Sequence, residues 1–176
     1  MILRLTPAPL INDTFAPFGD VIESDGADHF SINRGFTERH NDLASVDVHI
    51  EDVSANISLL IKTQRPAPIA IRMMERHPLG SQIFFPLQDH PWLVVVCTDP
   101  KIASSYRVFC ADGRQGINYA LNVRHHPLLV LENESRFIFG ERKGPGTNLE
   151  ESWLPEDSIF FIETFAWEFV LRVCPL

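Results

Sequence analysis

The chain has 176 residues, a hydrophobic fraction of 45% and a formal net charge of −8 at pH 7. This length and composition predict a single globular domain over residues 1–176 that needs neither disulfides nor a structural metal to hold it together. The acidic balance disfavours nucleic-acid binding, for which a basic patch is typical. The longest apolar runs are too short for a membrane-spanning helix. We therefore expect neither nucleic-acid nor membrane partners.

The three cysteines, Cys97, Cys110 and Cys174, lie in apolar runs without C-x-x-C spacing. An odd number in this pattern predicts free, buried thiols in a reducing compartment. The first residues lack the charged region and long apolar core of a signal peptide. Together these features predict a cytoplasmic protein.

In chain order, the first half of the sequence predicts short strands and one helical turn. Residues 2–5 and 19–23 are expected to be strands, with a capped helical turn at residues 12–16 between them. Strict alternation over residues 44–50 predicts a half-buried strand, and the more apolar residues 57–61 predict a strand covered on both faces. A proline-rich connector at residues 65–68 cannot continue a sheet interior.

The second half continues as short apolar segments separated by turn residues. They lie at residues 69–74, 83–85, 93–97, 106–110, 128–131 and 137–139, with closing strands at 158–161 and 165–173. Residues 140–151 have the glycine and charge content of an exposed loop. Short strands at regular spacing are typical of an all-β sandwich or barrel, here with one or two short helices.

The first group of candidate functional residues is Glu75, Arg76, His77 and Gln82. Residues two apart in a strand share a face, so Glu75 and His77 would point one way and Arg76 the other. A carboxylate beside an imidazole is typical of a general acid/base pair or of two ligands of one metal. Gln82 could add an oxygen ligand or a hydrogen-bond donor. The alternative is a polar rim in which Glu75 only pairs with an arginine.

A second group is His125 and His126, which precede a proline at the end of another strand-like run. Strand neighbours face opposite ways, so only one of the two is expected to enter a given pocket. Five arginines could hold an acidic substrate through bidentate pairing: Arg34, Arg72, Arg76, Arg124 and Arg142. The sequence has no phosphate-binding loop or dinucleotide fingerprint, so no nucleotide cofactor is expected.

Two stretches resemble the ureidoglycolate lyase family, long called ureidoglycolate hydrolase. They are E-R-H-P-L-G-S-Q at residues 75–82 and, within residues 116–128, G-I-N-Y followed by V-R-H-H-P-L. Weaker agreement at residues 18–23 and 30–44 extends the likeness over roughly three quarters of the chain. The resemblance implies a cupin-like double-stranded β-helix fold and a homodimer. It also implies release of glyoxylate and urea from ureidoglycolate, late in allantoin and purine breakdown.

The resemblance also implies roles for particular residues. Glu75, His77 and Gln82 fall at the first metal-binding motif of a cupin, and His125 or His126 falls at the single histidine of the second. A divalent metal, for which the family suggests nickel, would thus be bound by Glu75, His77, Gln82 and His125. The expected catalytic residues are Glu75, His77, His125 and His126, and the expected contacts to the small carboxylate substrate are Arg72, Arg76, Gln82, Asn118, Tyr119 and Arg124.

Several positions depart from the family pattern. Ala120 stands in place of a histidine, Arg124 of a tryptophan, Arg34 of an asparagine and Ile61 of an arginine. The competing interpretation is a cupin-like protein that binds or acts on a different small carboxylate without releasing urea, and Ala120 is its main support. The tail from Gly144 onward could close a dimer, cap the pocket or form a plain terminal strand pair.

Overall fold

The computed structural model of the chain describes residues 3–47 and 53–162, which form short strands with one four-residue α-helix. The first nine strands are β1 (Leu3–Leu5), β2 (Ala8–Pro9), β3 (Gly19–Ile22), β4 (His29–Ile32), β5 (Thr37–His40), β6 (Ser54–Lys62), β7 (Ile69–Ile71), β8 (Met73–Arg76) and β9 (Gln82–Pro86). The others are β10 (Trp92–Cys97), β11 (Tyr106–Ala111), β12 (Gly116–Tyr119), β13 (Arg124–His125), β14 (Leu129–Val130), β15 (Ser135–Lys143), β16 (Glu150–Trp153) and β17 (Phe160–Ile162). Helix α1 spans Asn12–Phe15, and 3-10 turns span Asn33–Gly35, Ala103–Ser105 and Glu156–Ser158.

Two sheets form the body of the fold. Sheet I has the strand order β16-β8-β13-β10-β11-β2, with β14 also paired to β10, and sheet II has the order β3-β12-β9-β15-β6. From β8 to β16 the chain passes repeatedly between them, with β9, β12 and β15 in sheet II and the other strands in sheet I. This alternation is that of a double-stranded β-helix, so the predicted cupin-like, all-β fold is confirmed. The described strands form open sheets rather than a closed barrel.

Large apolar side chains from both sheets fill the layer between them. Trp92 of β10 packs edge-on against Phe137 of β15, with ring centroids 5.1 Å apart. Phe15 of α1 contributes to the same layer by contacting Phe109 and Tyr119. Full burial of a large apolar side chain stabilises the fold by about 1.5–3 kcal/mol. These contacts fix how sheet II sits over the inner face of sheet I.

The reverse face of sheet I is buried as well. A three-stranded sheet of β1, β17 and β7 covers it, and Ile71 and Phe160 of that sheet pack with Leu93 and Val95 of β10. All six residues of β10 are therefore buried. Strands β8 and β13 consequently have an inner face toward sheet II and a reverse face toward a separate layer.

Most predicted strands are present, with shifted ends. β6 and β15 form a nine-residue antiparallel pair, so residues 137–139 belong to a strand much longer than predicted. The loop expected over residues 140–151 is shorter in the structure and spans residues 144–149. The strand expected at residues 158–161 begins at Phe160. The strand expected at 165–173 lies outside the described residues.

Three sequence predictions are wrong. Residues 44–47 form no regular strand, because side chains of Asn118, Asp20 and Ser81 bind their backbone in place of a neighbouring strand; residues 48–50 lie outside the described part. Residues 57–61 are covered on one face only, since β6 is an edge strand of sheet II. Cys97 is free and buried as expected, but Cys110 is disulfide-bonded, because pairing depends on proximity in the fold and not on spacing. Cys174 lies outside the described residues.

The described residues contain no helix with the length and apolarity needed to cross a membrane.

Candidate metal centre and active site

Glu75 and His125 lie directly opposite each other on the antiparallel strands β8 and β13. Directly opposite residues share a face of the sheet. His125 is also opposite Val96, a member of the layer between the two sheets, so both functional side chains point inward. His77 follows β8 two residues after Glu75 and joins them: one ligand atom from each residue lies within 4.8 Å of the others. We call Glu75, His77 and His125 the triad.

The triad places two imidazole nitrogens around one carboxylate oxygen. Nε2 of His125 is 3.4 Å from Oε1 of Glu75, and Nε2 of His77 is 3.9 Å from the same oxygen. The two imidazole rings are stacked, with centroids 5.4 Å apart and an interplanar angle of 25°. This is the face-sharing that the sequence spacing of Glu75 and His77 predicts.

Backbone carbonyls set the tautomer of both histidines. Nδ1 of His125 donates to the carbonyl of Val123 at 3.0 Å, and Nδ1 of His77 donates to the carbonyl of Asn148. A carbonyl oxygen only accepts, so each Nδ1 carries the hydrogen and each Nε2 presents a lone pair. Both Nε2 atoms are buried and have no hydrogen-bond partner among the described residues. Oε1 of Glu75 and the two Nε2 atoms are therefore three hydrogen-bond acceptors that face one another, and none of them carries a hydrogen to donate.

The charges of the triad suit a cation. Burial raises the pKa of Glu75, whereas hydrogen bonds and positive charge from His125 and His77, which act when those rings are protonated, lower it to about 2. Burial lowers the pKa of His125, against the opposing effect of Glu75. At neutral pH the carboxylate is charged and His125 is neutral, which are the protonation states that bind a metal.

The donor set also fits a divalent metal in its chemistry. Two imidazole nitrogens and one carboxylate oxygen are a common ligand set in metal sites. Metal-binding histidines usually donate their other nitrogen to a carboxylate or backbone carbonyl, as His77 and His125 do here. Buried acceptors facing one another without a proton or cation are costly. The triad residues therefore fit a bound cation.

Tyr119 and Gln82 extend the site from sheet II. The Tyr119 ring stacks on His125, with centroids 4.0 Å apart and an interplanar angle of 14°. Gln82 lies directly opposite Tyr119, so it faces the same layer. Its buried Oε1 has no hydrogen-bond partner in residues 3–47 and 53–162. Burial raises the pKa of Tyr119 above its usual range. The site thus has a protonated hydroxyl and a carboxamide near the triad.

His126 lies on the reverse face of sheet I. Its backbone N–H donates to the carbonyl of Val95, and its Nδ1 donates to the carbonyl of Pro127. Burial lowers its pKa to about 4. Only one histidine of the pair enters the inner layer, as strand alternation predicts, and it is His125.

The arginines expected to contact substrate also lie away from the triad. Arg76 follows Glu75 and faces the other way, and Arg124 stands opposite Cys97, a residue of the reverse-face layer. Arg72 is exposed between β7 and β8. None of the three shares the inner face with Glu75, so strand alternation separates residues that are adjacent in sequence.

Three further candidate residues lie away from the triad: Asn118, Arg142 and Arg34. The Asn118 amide donates to Asp20 and to the carbonyl of Ser45 on the outer face of sheet II. Arg142 is buried and donates to the carbonyl of Pro145, and Arg34 is exposed in the turn between β4 and β5. Of the predicted substrate contacts, the structure brings only Gln82 and Tyr119 to the triad side.

Two contributors to the site are missed by the sequence analysis. Asn148 lies in the segment interpreted as an exposed loop, yet its carbonyl binds His77 and its Oδ1 accepts the backbone N–H of Leu79. Burial lowers the pKa of Lys62, Arg65 lowers it further, and the charge of Glu75 raises it. Lys62 is two residues beyond the inward Leu60 of β6. This two-residue spacing is the sequence feature that could have predicted an inward Lys62.

The fold and the triad define a cupin-like protein with a candidate metal centre. The family model described as ureidoglycolate lyase matches residues 2–161, so the chain belongs to the ureidoglycolate lyase family. A ureidoglycolate lyase of Stutzerimonas stutzeri is 44% identical over 161 residues, covering 90% of this chain and 95% of the relative. Ureidoglycolate lyase 1 of Rhizobium meliloti is 51% identical over 148 residues, covering 84% and 87%.

Among solved structures, the oxalate decarboxylase of Lactobacillus farciminis in its formate complex aligns with 58% of this chain and 26% of its own. The TM-score is 0.35 and the sequence identity is 18%. This likeness is too remote to carry an argument.

Proposed function

We propose that this protein is a ureidoglycolate lyase, a carbon–nitrogen lyase that releases glyoxylate and urea from ureidoglycolate in allantoin degradation. Family membership over residues 2–161 and the identity with curated lyases support the proposal. The observation that carries it is the triad, in which three buried acceptor atoms converge within 4.8 Å. The relatives favour this activity over action on a different small carboxylate.

The triad would hold a divalent cation through Oε1 of Glu75, Nε2 of His77 and Nε2 of His125. Gln82 is a candidate fourth ligand through its buried, unpartnered Oε1. A cation bound here supplies Lewis acidity, which lowers the pKa of a substrate hydroxyl and neutralises developing negative charge. Nickel is the metal that the family resemblance suggests, and it stays a prediction.

The elimination moves one proton from oxygen to nitrogen. The substrate hydroxyl loses its proton, its oxygen forms the aldehyde carbonyl, and the carbon–nitrogen bond breaks as the nitrogen takes up a proton. Because Oε1 of Glu75 and Nε2 of His125 would be engaged with the cation, the second carboxylate oxygen of Glu75 is our choice of acceptor for the first proton. The protonated Tyr119 hydroxyl is our choice of donor to the departing nitrogen, because its ring stacks on His125. Placed groups of this kind contribute about 10²–10⁴-fold in rate.

We assign substrate binding to residues on the inner face of the two sheets. Lys62 is two residues beyond the inward Leu60 on β6, and the charge of Glu75 raises its pKa, so we assign it to the substrate carboxylate in place of Arg72, Arg76 or Arg124. The Gln82 amide can orient the ureido group by accepting and donating hydrogen bonds.

The direct test is release of urea and glyoxylate from ureidoglycolate by the purified protein. A no-enzyme control is required because the substrate also decays unaided. N-carbamoylglycine is a matched control substrate, since it keeps the ureido and carboxylate groups but lacks the hydroxyl that must lose a proton. We expect turnover of the first compound only. A folded, metal-supplemented protein with no turnover above background would refute the proposal.

The homodimer and the cytoplasmic location expected from the sequence stay predictions. For the dimer we propose the outer face of sheet II as the contact with a second copy. Edge strand β6 exposes Ile57, Leu59 and Ile61 there, and Leu87 adds to the same face. A nine-residue edge strand with an apolar outer face is prone to association unless it is covered.

Light scattering after size exclusion tests this surface. We expect Leu59→Glu to convert the dimer into a monomer, because the charge would be buried without a partner in the contact. Ile102→Glu is the matched control, since Ile102 is exposed to a similar degree but lies in the turn before β11. A Leu59→Glu protein with the mass of the wild-type dimer would exclude this face.

A further inference from the structure

A cavity of about 800 Å³ lies behind the triad, on the reverse face of sheet I. Its walls come from β8, β13, β16 and the segment between β10 and β11. The volume is within the range of small-molecule sites. The proposed lyase reaction uses none of its lining residues, because the strand backbone separates them from Glu75 and His125.

The cavity has a positive wall on an acidic protein. Arg76, Arg124 and Lys101 line it, with Asp99 as the anionic lining residue, whereas the whole chain carries a formal charge of −8. Local charge of the opposite sign to the net charge concentrates counter-ions at the cavity. The lining therefore favours an anion over a cation.

Arg124 is the cation best placed to bind that anion. Arg76 is already neutralised, since its Nε and one terminal nitrogen donate to Glu150 at 2.8 and 2.6 Å. Arg124 instead donates from one terminal nitrogen to the hydroxyl of Ser152 at 2.8 Å, and it pairs with no carboxylate in the described part of the chain. The neutral hydroxyl orients the guanidinium and leaves its charge available for a bidentate contact.

The opposite part of the lining is apolar. Pro100, Leu154 and Phe160 line it, and Leu154 and Phe160 belong to the apolar layer on the reverse face of sheet I. Trp153 is opposite Met73, two residues before Glu75, so its side chain faces the inner side of the sheet. An apolar wall beside an arginine without a carboxylate partner in the described part of the chain is suited to a ligand with an apolar body and an anionic end, because each part meets a complementary surface. A purely inorganic anion would leave the apolar wall uncovered.

We infer that this cavity is a second ligand site, which binds a small organic carboxylate through Arg124 with its apolar part against Leu154 and Phe160. It is independent of the triad, and neither the metal nor the lyase substrate takes part in it. Benzoate has the required chemistry and is the probe of choice. Acetate lacks the ring, and inorganic phosphate lacks both the ring and the carboxylate, so the three anions separate the contributions.

Calorimetric titration of the full chain tests the inference. Benzoate is expected to bind more tightly than acetate or phosphate. Arg124→Gln should weaken benzoate and acetate by about tenfold or more, because a charge-assisted contact is lost. Leu154→Ala should weaken benzoate alone, whereas Trp153→Ala should leave benzoate binding unchanged, because its side chain faces the inner side of sheet I. Arg107→Gln is the matched control, since this exposed arginine on β11 donates only to backbone carbonyls.

A His125→Ala protein should bind benzoate as the wild type does, whatever its lyase activity. Loss of binding in that variant with retention in Arg124→Gln would place the anion at the triad and overturn the inference. Failure of all three anions to bind the folded wild type would also overturn it. Phosphate binding as tight as that of benzoate would show that no organic ligand is selected, and would overturn it equally.

Discussion

On strands β8 and β13, the inner and reverse faces carry side chains of opposite charge. Glu75 and His125 point toward sheet II and supply electron pairs, whereas Arg76 and Arg124, each one residue away, line a cavity on the other side. The difference arises from the two-residue period of a strand. Residues next to each other in a functional motif can therefore belong to different sites.

The largest effect should separate the two adjacent histidines. We expect His125→Ala to lower kcat/KM for ureidoglycolate by about a thousandfold or more, because it removes a cation ligand and the ring on which Tyr119 stacks. The matched variant His126→Asn alters the next residue on the reverse face and should stay within about threefold of the wild type. Urea release by folded variants measures both. Equal losses would mean that the two faces are not functionally distinct.

The next comparison removes one hydroxyl and keeps the ring that stacks on His125. Tyr119→Phe should lower kcat by about a hundredfold, as expected for a lost general acid. The thermal midpoint should hardly change, since the stacking contact at 4.0 Å remains. Unchanged kcat in a saturating assay would assign proton donation to another group.

The buried histidine of the reverse face should make the fold sensitive to acid. The pKa of His126 is lowered from 6.5 to about 4 by burial, so below pH 6.5 the unfolded chain binds a proton that the folded chain excludes. Stability should fall as the pH drops from 6.5 through 4, by roughly 2 kcal/mol at pH 5 from this group. Urea denaturation of wild type and His126→Asn at pH 5 and pH 7.5 measures the difference. A variant with the same loss of stability as the wild type would contradict this.

The smallest effect concerns the loop behind His77. Asn148→Ala removes the acceptor for the backbone N–H of Leu79 and loosens the segment whose carbonyl binds His77. Loss of such outer hydrogen bonds typically weakens metal affinity by about 10–100-fold, and we expect the lower end here. Asn12→Ala, which breaks an exposed bond to Glu23, is the control in a metal titration. Equal affinities for the two variants would leave the loop without a role at the triad.

Sequence periodicity predicted much of this arrangement. The strand pattern predicts the all-β class, and the spacing of Glu75 and His77 correctly places both on one face. Alternation at His125 and His126 predicts that only one turns inward, but not which, because that depends on the pairing of β13 with β8 and β10.

Other parts of the site depend on contacts between distant segments. The orientation of His77 needs the carbonyl of Asn148, 71 residues away, and a backbone acceptor has no sequence signature. The expected substrate arginines were selected by charge alone, and charge does not reveal that Arg76 pairs with Glu150 on the reverse face. Residues 44–47 alternate like a strand, but their backbone is bound by the side chains of Asn118 in sheet II and of Ser81, which precedes β9. Alternation alone therefore predicted a strand that is not there.

The most direct test of the inner-face site is urea release during a titration of metal-free protein with nickel, with bound metal counted in the same samples. We predict that activity rises in proportion to bound metal and reaches its plateau at about one ion per chain, as one triad requires. Glu75→Gln, which removes the carboxylate charge of the triad, should neither bind the ion with comparable affinity nor reach that plateau. Full activity before any metal is added, or an unchanged titration in Glu75→Gln, would contradict the account.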